Sequence, residues 1–131
     1  MLTDSNLTGV WQGLYSYPRA LEPGLFTVTL IETGTSLSGS TSEVWPRGKR
    51  AGDTILSFLS GHRRDYDVDF VKTYEGPDKP NHSVHYDGTL TGDFLEIEGL
   101  WHIPGQWSGR FLMIRSGTKS VAEARRKFQR A

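Results

Sequence analysis

Residues 65–74 read "DYDVDFVKTY" and carry the cleanest period-two pattern in the chain. Tyr66, Val68, Phe70, Lys72 and Tyr74 fall on one face, and Asp65, Asp67, Asp69 and Thr73 on the other. An extended chain sends successive side chains to opposite faces, so this stretch is a strand with one largely apolar face and one acidic face. The three aspartates read as solvated charge on the outside of a sheet, where they discourage edge-to-edge association.

Working outward, the same pattern repeats. Toward the C-terminus, the turn cluster "EGPDKPN" (75–81) leads into "HSVHYDGTL" (82–90), and the short turn "TGD" (91–93) into "FLEIEGLWHI" (94–103). That last strand sets Leu95, Ile97, Gly99 and Trp101 against Glu96 and Glu98; "PGQ" then turns the chain into "WSGRFLMIR" (107–115). Toward the N-terminus lie "TILSFLS" (54–60), the loop "PRGKRAGD" (46–53), "SLSGSTSEVW" (36–45), the turn "ETGTS" (32–36), "GLFTVTLIE" (24–32) and a first strand at about 8–17. Eight strands joined by short turns, with no helix between them, make an antiparallel meander. Closing it removes both exposed edges, so the expected fold is all-β, an eight-stranded antiparallel up-and-down β-barrel.

The 131 residues fit a single domain, with the barrel over about 7–116. The tail is different. Ser120 and Glu123 make an S-x-x-E capping box, and Val121, Ala124 and Phe128 recur at helical spacing, which predicts a short C-terminal helix over about 120–130. Its open face carries Lys119, Arg125, Arg126, Lys127 and Arg130, and the plain reading of that charge is a solvated surface.

Over the whole chain 15 Lys and Arg balance 15 Asp and Glu, so nothing pulls the protein toward nucleic acid or an anionic membrane. The absence of cysteine removes thiol catalysis, thiolate metal sites and disulfides, and fits the cytoplasm. The start "MLTDSNLTG" has neither the basic region nor the apolar run of a signal peptide. No stretch reaches transmembrane length. A cytoplasmic monomer or homodimer with a small-molecule partner is the expectation.

The first strand, "GVWQGLYSY" (9–17), places Trp11, Gly13, Tyr15 and Tyr17 inward and Val10, Gln12 and Leu14 outward. The indole plugs one barrel end, Gly13 leaves room for a bulky side chain from across the barrel or for strong strand coiling, and the tyrosines form a semi-polar wall. On the outside, Val10 and Leu14 should meet Leu112 and Ile114. Val121 and Phe128 of the tail, or a second subunit, would cover that apolar patch.

"LTGVWQG" (7–13) resembles the first strand of the calycin superfamily, which comprises lipocalins, fatty-acid-binding proteins and avidins and carries Gly-x-Trp there. "SLSGSTSE" (36–43) resembles the avidin third strand, and Trp101 and Trp107 resemble tryptophans of later avidin strands. The resemblance rests on these short motifs and on the strand count over about 8–115. It implies a calycin-like barrel with a small molecule in its open end. It does not extend to biotin: Gly13 stands where avidins have a biotin-contacting Asn, Tyr15 where they have Leu, Thr41 where they have Tyr and Glu43 where they have Ser. The opening also resembles the haem-binding nitrobindins, but their ten strands and other motifs are missing, so no cofactor is expected.

The inward polar set is Tyr15, Tyr17, Thr41, Glu43, Lys72, Tyr74 and Tyr86, with His82 near a barrel end. The plain reading of Glu43 and Lys72 is that they sit solvated at the barrel mouth. The functional reading makes Tyr15, Tyr17, Thr41, Glu43, Tyr74, Tyr86 and Trp101 a ligand-binding wall. An isomerase or lyase in which Glu43 or a Tyr transfers a proton is the alternative, and a filled barrel serving as a protein-interaction module is the third. No metal site is expected, because His82 and His85 are an odd number of residues apart on a strand and face opposite ways, while His62 and His102 stand alone. No nucleophile elbow or phosphate loop is present, so no catalytic residue is assigned.

Overall fold

The computed structural model describes residues 6–16, 24–44, 52–76 and 83–117. They form eight strands: β1 (Gly9–Tyr15), β2 (Gly24–Thr33), β3 (Ser36–Val44), β4 (Thr54–Arg64), β5 (Asp67–Tyr74), β6 (Ser83–Leu90), β7 (Glu96–His102) and β8 (Ser108–Arg115). Each pairs antiparallel with its sequence neighbours, and β1 also pairs with β8, from Trp11 opposite Arg115 to Tyr15 opposite Phe111. The sheet is a closed barrel without edges. The C-terminal helix expected over about 120–130 lies outside the described residues, as does Tyr17.

Alternation holds along almost every strand. In β5, Val68, Phe70 and Lys72 are buried while Asp67 and Asp69 are exposed. Tyr66 departs from the expected inward face. The strand begins at Asp67, and Asp65 and Tyr66 form the turn after β4, with Asp65 at φ 53, a left-handed conformation that Asp tolerates. Tyr66 is consequently 46% exposed and stacks on Phe94 instead, ring centroids 5.4 Å apart.

The two barrel ends differ in their connections. At one end lie the turns at 34–35, 65–66 and 91–95; at the other lies the turn at 103–107, and there β1 and β2, β3 and β4, and β5 and β6 are separated by longer stretches of sequence. At the short-turn end Trp11 is fully buried, and its indole Nε1 donates to the Leu7 carbonyl at 2.9 Å. The Arg115 guanidinium lies over the indole, 5.3 Å from the ring centroid, and donates to the carbonyls of Asn6 and Thr8. Trp11 plugs the end that the first strand predicted. The space left by Gly13 is filled by the Phe26 ring of the paired neighbouring strand, rather than by a residue from across the barrel; a Cβ at position 13 would run into that ring. Gly24 opposite Tyr15 repeats the device.

The interior is one core, aliphatic toward the short-turn end (Leu30, Leu37, Val68, Leu90, Ile97, Met113) and aromatic in the middle. There Tyr86 stacks on Phe70 at 4.8 Å and meets Phe111 edge-on at 5.0 Å. A second, small cluster of Leu14, Leu112 and Ile114 sits on the outer side of β1 and β8, all three buried, while Val10 remains exposed. Val121 and Phe128, expected to cover this patch, lie outside the described residues.

Candidate functional site

The long-connection end holds a polar centre built from three strands, β1, β3 and β5. Glu43 reaches inward from β3 and Lys72 from β5, past the intervening β4, on which Glu43 is level with Ile55 and Lys72 with Leu59. Their charged ends meet at 2.8 Å, with only 4% and 1% of the two side chains exposed. The expectation that both are solvated at the mouth is thus overturned. Strand tilt in the closed barrel carries two side chains that are well separated in sequence into one dry position. The second carboxylate oxygen of Glu43 accepts a 2.8 Å hydrogen bond from the Tyr15 hydroxyl, so both oxygens are occupied. Lys72 also hydrogen-bonds Tyr74.

Around the ammonium stand four aromatic rings: Tyr74 at 5.0 Å from nitrogen to ring centroid, Phe26 at 5.1 Å, Tyr15 at 5.4 Å and Tyr86 at 5.7 Å. Cation–π attraction from such faces is worth about 0.5–2 kcal/mol each in a desolvated setting. Burial disfavours the ammonium. The Glu43 carboxylate, joined in alkali by ionised Tyr86 and Tyr74, outweighs that and raises the Lys72 pKa above that of an ordinary lysine. Paired with Glu43 at 2.8 Å, Lys72 is favoured in its ammonium form, which is not a nucleophile. Burial likewise pushes the Tyr74 hydroxyl up to about 12, with Lys72 opposing the rise.

Tyr15, Glu43, Tyr74 and Tyr86 are thus brought together around Lys72. Trp101 joins them through an edge-on contact with Tyr15, centroids 6.2 Å apart, and its indole nitrogen donates to the Ser16 carbonyl at 2.8 Å. Thr41 faces inward beside its cross-strand partner Ser57, to which its hydroxyl is hydrogen-bonded. Tyr17 lies outside the described residues, as does His82. Three members of the arrangement were not among the expected ligand wall: Lys72, Phe26 and Ser57. Period-two alternation already turned Lys72 inward, and an inward Lys beside an inward Glu was the available signal. Their pairing depends on register across three strands.

Among the described residues, no three His, Asp or Glu side chains gather as a metal site requires. His102, isolated in sequence, does have a histidine neighbour: it faces His85 across β6 and β7 on the outer surface, ring centroids 4.9 Å apart. Compared with known proteins, the chain matches no protein-family model and no curated protein sequence.

Proposed function

We propose that this is a calycin-like barrel that binds a small, partly aromatic or amphipathic molecule at its long-connection end. Tyr15, Tyr74, Tyr86 and Trp101 supply the contact faces, Glu43 and Lys72 form the polar floor, and Thr41 extends the wall. The observation that carries this reading is the buried Glu43–Lys72 pair. Taking two charges out of water costs several kcal/mol per ion, and replacing such a pair with well-packed apolar residues is often neutral or stabilising by about 1–4 kcal/mol. The opposite end of the same barrel is packed with Leu, Val, Ile and Met, so aliphatic filling is available to this fold. A fully buried charge pair wrapped in aromatic rings, where the opposite end has its ion pair, Arg63 with Glu32, only at the rim, fits recognition better than filling.

The proton-transfer alternative draws less support. Lys72 is held as a cation, the Tyr74 proton is held more tightly than in free tyrosine, and both oxygens of Glu43 are engaged.

Trp101 and Trp107 lie 6.5 Å apart at this end and provide a local reporter. Titrating the full chain with a panel of small mono- and bicyclic aromatics should give saturable, one-to-one quenching of tryptophan fluorescence that weakens in Tyr15→Phe. If no member of the panel quenches saturably, the binding reading is wrong.

A further inference from the structure

We propose that the group a ligand presents to the Glu43–Lys72 centre is uncharged, a hydroxyl, phenol, ketone or amide on a flat ring, rather than a carboxylate or an ammonium. This rests on the reading of the long-connection end as a ligand site, and it follows from charge balance in a dry place.

Glu43 and Lys72 are the charged side chains among the described strand residues facing into this end, and they cancel. A ligand carboxylate would have to share one ammonium with Glu43. Two carboxylates facing one cation leave a net negative charge buried, and like charges in a shared site disfavour each other. A ligand ammonium meets the reverse problem. The position that would suit it, a carboxylate rimmed by the faces of Tyr15, Phe26, Tyr74 and Tyr86, is already filled by the ammonium of Lys72. The protein carries its own cation in an aromatic cage.

An uncharged group with both a donor and an acceptor has no such difficulty. It exchanges hydrogen bonds with the Tyr15 and Tyr74 hydroxyls, which already bridge to Glu43 and Lys72, and leaves the net charge at zero. A flat ring behind that group suits the edge-on pair of Tyr15 and Trp101, because an added ring extends the same offset and edge-to-face packing.

The test uses three probes of one shape at pH 7: 2-naphthol, 2-naphthoate and 2-naphthylmethylammonium, titrated into the full wild-type chain by calorimetry. 2-Naphthol should bind at least about tenfold tighter than either charged analogue, equivalent to about 1.4 kcal/mol. In Glu43→Gln the Lys72 charge is unbalanced, and naphthoate should become the tightest of the three. The double variant Glu43→Gln, Lys72→Met is neutral again and should restore 2-naphthol to first place; it also serves if the single variant does not fold. Tightest binding of naphthoate or of the ammonium by the wild type would overturn the uncharged head group while leaving a ligand site in place. Binding of none of the three would overturn the site as well.

Discussion

Each end of this barrel carries an inward-leaning ion pair, and the two are built for different ends. Near the short turns, one nitrogen of Arg63 donates to both oxygens of Glu32, at 3.0 and 3.2 Å, with 13% and 10% of the side chains exposed. The same Glu32 accepts from the Leu7 backbone at 2.8 Å, Arg63 also donates to the Asp65 carbonyl, and its guanidinium covers the Phe94 ring at 5.4 Å. That pair ties the N-terminal segment and two turns to the barrel rim, close enough to water that its charges keep part of their hydration. Among the described residues, the Glu43–Lys72 pair holds the side chain of Tyr15 rather than a backbone segment or turn. It is drier, it uses a flexible ammonium in place of a planar guanidinium, and its surroundings are aromatic rather than backbone. A rim clasp and a buried charge centre should therefore respond differently to the same substitutions.

The largest contrast is expected from breaking one partner. Glu43→Leu strands a buried ammonium and should cost about 3–5 kcal/mol in urea unfolding, whereas the double change Glu43→Leu, Lys72→Met should recover most of it. A double variant as unstable as the single one would mean that the pair itself holds the barrel together.

Next in size is the apolar cluster outside the barrel. Leu14 is fully buried with Leu112 and Ile114, so Leu14→Ala should cost about 2–5 kcal/mol by the same assay. A loss below about 0.5 kcal/mol, the range of an ordinary surface change, would show that this face is open to water in solution.

At the rim, Arg63→Met keeps the aliphatic stem over Phe94 and removes the charge. It should cost about 1 kcal/mol, and the loss should shrink in high salt, in contrast to the salt-insensitive loss at Glu43. Equal salt dependence at both ends would erase the distinction between them.

The smallest effect is in alkaline solution. The Tyr74 pKa lies at about 12 in the folded protein, above the value near 10 of an exposed tyrosine. The folded state thus holds this proton more tightly, and its stabilising share is complete below about pH 10 and lost as the pH rises toward 12. The raised pKa of Lys72 acts in the same direction. Tyrosine absorbance should show a late-titrating step that disappears in Tyr74→Phe. Persistence of that step in the variant would assign it to another residue.

The legibility of these two ends in the sequence differs for a physical reason. Trp11 could be placed as a plug because strand alternation and its position beside two glycines are local properties. Gly13 was recognised as space, but its occupant, Phe26, is fixed by the β1–β2 register. The inward direction of Tyr15, Glu43, Lys72, Tyr74 and Tyr86 was equally local. What those side chains do to one another was not: a lysine and a glutamate facing inward from different strands look the same in sequence whether they are solvated or paired.

The sequence alone determined the eight strands, their hairpin order and the inward direction of Tyr15, Thr41, Glu43, Lys72, Tyr74 and Tyr86, because side-chain alternation and turn chemistry act over two to five positions. Only the closed tertiary structure decided the register in which β1 seals against β8, that Glu32 meets Arg63, and that Glu43 crosses β4 to reach Lys72 inside a ring of four aromatics. Those contacts depend on strand tilt and stagger, which are set when all eight strands close at once and are written in no single segment.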